Sequence, residues 1–382
     1  MAGIYVHIPF CERKCRYCDF YSITDESLIP DYSGLIIKEI AIAASDHPKF
    51  AADSVFIGGG TPSMLPAESI AAIIDSLRSN FEINTKSEIS IETNPGTLTP
   101  QQLEAYQRTG INRLSVGVQS FADQELAFLG RIHDSRQAIK SINKIKNSGF
   151  TNFNLDLIFG IPGQSIDSWN RTLDTAIEFG APHISAYGLI YEPGTPLTRD
   201  LEAARFEPAD EDIEAQLYHL LVEKLAAAGL WQYEVSNFAK PGLECRHNLN
   251  YWSGGDYLAF GPAAHGYTRG ERYWNYPNLH EYAEAVRSGR APVAGSEIPS
   301  ENDRLIEYVM LNIRQGRLDI ERLARELPTE SAQELDPIIN ALQKEGKIFI
   351  EDYMIRLTTD GYLVSDEIAI RILDKISINT NS

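Results

Sequence analysis

Residues 4–20 read IYVHIPFCERKCRYCDF: a short β-branched run, 4–8, breaks at Pro9 into a loop that carries Cys11, Cys15 and Cys18. The same pattern then repeats along the chain. Further short runs at 55–57, 89–92, 113–118, 153–158 and 184–189 are separated by longer helix-period segments, among them 31–44, 66–80 and 165–178. That alternation is the signature of successive βα units and a parallel sheet. Six such units predict an α/β fold, a partial parallel (β/α)6 barrel. Each strand also ends in an unusual polar or glycine-rich turn: the cysteine loop, GGGTP at 58–62, ETNP at 92–95, GVQS at 117–120, GIPGQ at 160–164 and YEPGTP at 191–196. In a parallel barrel those ends share one face, the face where ligands bind.

From about residue 201 the pattern changes. A helix near 211–228 precedes an aromatic-rich, irregular stretch at 230–277, expected as an elaboration beside the barrel. The last segment reads helix, helix (320–327), helix (333–345), a hairpin KIFIED/YMIRLT at 347–358, then a helix, which resembles a winged-helix module. The expected division is therefore a barrel at 1–200, an elaboration at 201–295 and a C-terminal module at 296–382. The chain holds 53 acidic against 34 basic residues, a net charge of -19, so nucleic acid and anionic membranes would repel it. The C-terminal module follows suit, with 16 acidic and 10 basic residues from Ser300 onward. A structural or partner-docking role suits it better than DNA binding. The N-terminus shows neither a basic n-region nor an apolar h-region, and the chain has no uninterrupted apolar run near 20 residues, which predicts a cytoplasmic protein.

Only four cysteines occur, and three lie within eight residues of one another. A disulfide framework explains this poorly; clustered thiols in a reducing compartment suggest metal. In the spacing C-x3-C-x2-C each thiolate can take one iron of a cubane cluster, leaving the fourth iron without a protein ligand. A ligand with an amine and a carboxylate can chelate that iron. The competing reading is zinc, which needs four protein ligands in a structural site and finds no second Cys or His pair at finger spacing. Arg13, Lys14 and Arg16 either favour thiolate over thiol or are solvated loop charges.

Taken together, YVHIPFCERKCRYCDFYS (5–22), FIGGGTPS (56–63), IETNPG (91–96), GVQSF (117–121) and LDLIFGIPGQ (155–164) resemble the radical SAM superfamily. More narrowly, nearly the whole chain resembles the family of the oxygen-independent coproporphyrinogen oxidase and its heme-chaperone relatives. The resemblance implies a 4Fe-4S cluster on Cys11, Cys15 and Cys18. It also implies S-adenosylmethionine (SAM) contacts at Tyr5, Tyr17, Gly59, Gly60, Thr61, Glu92, Gln119, Arg131 and Asp156. These residue types suit such contacts, since glycines let backbone approach the ligand, Thr61 adds a hydroxyl, Glu92 and Asp156 accept from ammonium or ribose hydroxyls, and Arg131 pairs with a carboxylate.

Within that family the oxidase branch resembles C-x3-C-x2-C-x-C with an N-terminal extension. Here the extra cysteine position is Phe20, and only ten residues precede Cys11. Instead, His247, Asn248, Tyr251 and Trp252 form H-N-x-x-Y-W, which resembles the heme-binding motif of HemW-type heme chaperones. An imidazole can ligate heme iron and aromatic faces can pack on a porphyrin. Cys245 and His265 are alternative axial ligands, and a hydrogen-bonded histidine in an aromatic core is the plain structural reading. The resemblance thus implies a cytoplasmic heme chaperone that hands heme to an acceptor haemoprotein, membrane-associated or not, with an electron donor such as flavodoxin or ferredoxin. The alternative is an oxygen-independent coproporphyrinogen III oxidase, a radical SAM oxidative decarboxylase. Because His247 lies beyond the sixth strand, it is expected in a different structural layer from the cysteine loop.

Overall fold

The computed structural model describes residues 1–327, 333 and 335–375. Six strands lie side by side and parallel in chain order: β1 (Gly3–Ile8), β2 (Ala51–Gly59), β3 (Glu82–Thr93), β4 (Arg113–Gln119), β5 (Phe153–Phe159) and β6 (His183–Gly188). Helices Ile29–Asp46, Ala67–Asn80, Ser135–Ser148 and Ile166–Glu178 are among the connections between them. This is the predicted α/β arrangement. β2 and β3 start well before the expected 55 and 89. Asp53 is exposed while Ala52 and Ser54 are buried, so the lead-in alternates like a strand although it lacks a β-branched run.

Strand alternation explains both the core and the site. Ile4, Val6, Val55, Ile57, Ile91, Leu114, Val116, Leu155 and Ile184 are all but fully buried, in one cluster with helix residues such as Ile36, Ile73, Ile142 and Leu173. Burying each such side chain contributes about 1.5–3 kcal/mol. Their sequence neighbours face the other way. Tyr5, Phe56, Glu92, Arg113, Ser115, Asn154, Asp156, Ser185 and Tyr187 line a cavity enclosed by the strands. One face of the sheet is thus apolar and packed, the other polar and open to a ligand.

The chain beyond β6 extends this sheet rather than standing beside it. β7 (Trp231–Gln232) and β8 (Asn237–Ala239) add antiparallel strands outside β6. β9 (Tyr257–Phe260) returns to the opposite edge and pairs parallel with β1, placing Gly3 against Tyr257. β10 (His265–Thr268), β11 (Glu271–Asn275) and β12 (Val293–Glu297) follow antiparallel. Both edges of β1–β6 are thereby covered, which satisfies backbone groups that would otherwise stay unpaired. Among the described residues the two ends of the twelve-stranded sheet do not pair with each other, so the barrel stays partial.

The C-terminal part runs helix Glu301–Arg314, β13 (Arg317–Asp319), helix Ile320–Glu326, helix Leu335–Lys344, the hairpin β14 (Ile348–Glu351) and β15 (Met354–Leu357), and helix Ser365–Lys375. It has its own core around Val309, Leu318, Leu342 and Ile355. The hairpin turns on Asp352 and Tyr353, both at positive φ, the conformation that a two-residue turn matched to strand twist requires. The helix expected from 333 begins in a stretch that includes residue 334, outside the described residues. Among the described residues no helix is long and apolar enough to cross a membrane.

Candidate functional site

The cysteine loop leaves β1 at Ile8 and is pinched shut at its base. Cys11 N–H donates to Ile23 O at 2.9 Å and Ile23 N–H to Pro9 O at 2.8 Å. Cys11, Cys15 and Cys18 are half-buried. The basic residues between them do not reach sulfur. Arg13 donates to the carbonyls of Gly130 and Arg131, Lys14 to that of Phe20, and Arg16 to Phe128 O and the Asp200 carboxylate. They tether the loop to its surroundings; Arg13 and Lys14 are exposed, and the charge of Lys14 also acts on Cys18 in the direction that favours thiolate.

The side-chain donors to sulfur come from the turn after β2 and from the loop that follows helix Asp123–Leu129. Thr61 Oγ1 donates to Cys11 Sγ at 3.7 Å and Arg131 Nη1 to Cys15 Sγ at 3.3 Å. Asn94 joins the two: its Nδ2 donates to Thr61 Oγ1 at 2.9 Å and its Oδ1 accepts from Arg131 Nη2 at 2.7 Å. A single side-chain network therefore runs from one cysteine sulfur to another. Asn94 was not singled out from the sequence, although it stands two residues after Glu92 and so on the same face of the strand end. Burial pushes the Cys11 thiol up and the Cys18 thiol up to about 11. Half-buried sulfurs with N–H and O–H donors on them suit cluster ligation, where hydrogen bonds to sulfur tune the cluster. Among the described residues no three His, Cys, Asp or Glu side chains converge on a single-ion geometry; a cubane asks instead for one thiolate per iron.

The GGGTP turn is laced to the root of that loop. Gly60 N–H donates to Ile8 O and Thr61 N–H to Phe10 O, each at 2.7 Å. A Cβ on Gly60 would lie 2.6 Å from Phe10 O, so only glycine fits. Gly59, at φ 111°, donates its N–H to Glu92 Oε2 at 2.9 Å. Gln119 sits at φ 67° after a bulge in the β4–β5 pairing, a left-handed conformation that re-aims the strand end. Tyr17 packs on the small apolar cluster of Leu129, Ile158 and Leu197.

Beneath the loop the cavity holds about 300 Å³. Burial, reinforced by the charge of Asp156, pushes Glu92 up to about 8. Burial also raises Asp156, which accepts from Ser115 Oγ at 3.1 Å and Asn154 Nδ2 at 2.6 Å. The floor is the short helix Arg246–Trp252. Glu88 of β3 holds its N-terminus, accepting from Arg246 N–H at 3.2 Å, His247 N–H at 3.4 Å and Cys245 Sγ at 3.5 Å, where a carboxylate complements the free N–H groups. His247 is 1% exposed. Its Nδ1 meets Ser54 Oγ at 3.0 Å, its Nε2 meets Tyr251 Oη at 2.9 Å, and its ring stacks on Phe56 at 5.3 Å. Burial, aided by the charge of Arg113, pushes it down to about 3, so the imidazole is neutral.

His247, Asn248 and Tyr251 therefore line the same cavity as Tyr5, Gly59, Glu92 and Asp156. His247 thus shares its cavity with expected SAM contacts, whereas Cys11, Cys15 and Cys18 are not part of that lining. Because β9 pairs beside β1, the helix just before β9 is delivered under β1 and β2, and Gly3 leaves room for the imidazole, which a Cβ there would approach to 3.0 Å. Trp252, at the far end of the helix, is not part of this lining, and its indole N–H is buried without a partner. Of the alternative ligands, Cys245 is buried, its thiol pushed up to about 12 by burial, and His265 is exposed on β10. Neither lines the cavity.

Comparison with known proteins places these features. A model of the radical SAM superfamily matches residues 5–176. The heme chaperone HemW of Mycobacterium tuberculosis is 40% identical over 318 residues, 82% of this chain and 81% of that one. The heme chaperone HemW of Bacillus subtilis is 33% identical over 374 residues, 96% of this chain and 98% of its own. Among solved structures, coproporphyrinogen III oxidase (HemN) from Escherichia coli, a radical SAM enzyme, superposes with a TM-score of 0.83 at 24% identity, covering 97% of this chain and 89% of that chain. That last likeness is one of fold.

Proposed function

Because this chain belongs to the HemW family of the radical SAM superfamily, we propose that it is a cytoplasmic heme chaperone: Cys11, Cys15 and Cys18 hold a 4Fe-4S cluster, SAM binds against the turns around them, and heme is bound for transfer to an acceptor haemoprotein. The observation that carries this reading is the floor of the cavity, where a neutral imidazole, His247, faces the space that four of the nine expected SAM contacts, Tyr5, Gly59, Glu92 and Asp156, also line. When bound, the cluster supplies an electron to the sulfonium of SAM.

The chain's own residues divide the remaining work. Gly59, Gly60 and Thr61 bring backbone and a hydroxyl to the cluster loop. Glu92 accepts from the ligand's ammonium or ribose hydroxyls, faced by Asp156, Arg113, Tyr5 and Tyr187 in the same cavity. Burial pushes Glu92 up to about 8, so before SAM binds the carboxyl is mostly protonated at neutral pH. Its acceptor form is the carboxylate, so binding SAM releases a proton. SAM affinity of the cluster-loaded protein should rise by up to about tenfold per pH unit from pH ~6 toward pH ~8 and level off above it. Glu92→Gln should flatten that profile while leaving the iron content unchanged; a parent profile already flat from pH ~6 would contradict the assignment.

On the heme side, Ser54 fixes one ring nitrogen of His247, as the outer partner of a metal-ligating histidine does. The other nitrogen is held by Tyr251, the group that iron would displace. A cavity of about 300 Å³ is at the small end of ligand pockets. The oxidase alternative is tested by anaerobic incubation with coproporphyrinogen, SAM and reductant beside a heme titration. About one heme bound per chain and no protoporphyrinogen is the expected result. Conversion with SAM turnover would replace the chaperone reading with the oxidase.

A further inference from the structure

Arg113 opens β4 and is 2% exposed, yet it lines the cavity. Its Nε is buried without a hydrogen-bond partner, and among the described residues no carboxylate lies within 4.0 Å of its guanidinium. The acids nearest in charge are committed elsewhere: Glu88 to the N-terminus of the Arg246–Trp252 helix, and Asp156 to Ser115 and Asn154. The charges of Glu88 and Asp156 act on this guanidinium without a hydrogen bond to it, so its buried Nε donor stays unmet, and an anion that reached the fork would satisfy it. The approach runs through the cavity. Ser115, Asn154 and Ser185 give it polar walls, while the stacked rings of Phe56 and His247 offer an apolar surface to a short hydrocarbon stem.

We propose that Arg113 is a carboxylate-binding residue of the barrel interior, taking the carboxylate of a short aliphatic arm on its guanidinium fork. A planar fork with several N–H donors matches a carboxylate in two parallel bonds, which an ammonium cannot do. The arm belongs either to a heme propionate or to a free small carboxylic acid. The first identity rests on the heme reading above; the site itself does not.

The test uses the cluster-loaded full chain under anaerobic conditions, with sodium propionate as the probe and sodium chloride at matched ionic strength as the control. A ligand that binds only the folded state raises the melting temperature by mass action. Propionate at ~50 mM should raise the parent's melting temperature above the chloride control, and Arg113→Gln should lose that difference. In the second arm the parent should bind heme at least about tenfold more tightly than heme dimethyl ester, and Arg113→Gln should bring the two together. If Arg113→Gln does not fold, Arg113→Lys carries the test: it keeps the charge, loses the fork, and should lower the preference for the free acid by about tenfold. No propionate effect in the parent, or an equal effect in the folded variant, overturns the proposal whatever heme does. A propionate effect that needs Arg113, with no heme bound in either form, supports the site, assigns it to a free carboxylic acid and sinks the heme reading instead.

Discussion

Cys11→Ala, Cys15→Ala and Cys18→Ala should each abolish a cluster that the parent assembles on anaerobic reconstitution with about four irons and four sulfides per chain, while Cys245→Ala leaves both contents unchanged. The three effective cysteines share one loop closed at its base by backbone bonds between Cys11, Ile23 and Pro9. Two of their sulfurs already accept from Thr61 and Arg131. Removing one thiolate leaves two on that loop, and no other cysteine can substitute, since Cys245 is buried outside the cavity lining with its thiol on Glu88. Iron and sulfide assays with the visible spectrum read the result. Stoichiometric zinc in the purified parent, with no cluster assembled under any reducing condition, would overthrow the assignment.

The strand-and-turn pattern was legible because parallel βα units announce themselves twice, by β-branched runs and by the turns that follow. The cysteine loop was legible because its spacing has few other uses. What stayed hidden was the inward face of the strands. Phe56, Arg113, Ser115, Asn154 and Ser185 all line the cavity, yet Phe56 passes for core in an apolar run, and the polar residues at every second position of the other runs read as noise instead of a lining. Their signal was the period of two itself. Glu88 and Ser54 act on a helix some 160 to 190 residues away in the chain, and no local pattern records such a partner. The position of His247 depended on β9 pairing with β1, a contact across most of the chain. Arg13, Lys14 and Arg16 were read from charge alone, whereas their partners are mainly carbonyls, which composition does not reveal.

His247→Ala should cut heme affinity by about 10- to 100-fold and alter the Soret band, while the iron and sulfide content of the cluster stays at the parent's level. The cysteine loop hangs from the C-terminal end of β1, whereas the imidazole sits under its N-terminal end, against Gly3, in a cavity that the three cysteines do not line. Losing the ring also strands the Ser54 hydroxyl and empties a stacked position on Phe56, so a stability cost of about 1–3 kcal/mol should accompany it, measured by denaturant unfolding. A loss of heme through general loosening of the floor must therefore be separated from loss of a ligand. Tyr251→Phe does this. The ring stays in place and only the hydroxyl on Nε2 is removed, so a ligating His247 is freed of its competitor and heme should bind at least as tightly as to the parent, with the same Soret position. If His247 merely props the floor, Tyr251→Phe removes one of its supports and should weaken heme binding in the same direction as His247→Ala. Trp252→Ala is the poorer test, since Trp252 is not part of the cavity lining. A His247→Ala protein that binds heme like the parent, with an unshifted Soret band, would end the assignment of this imidazole to heme.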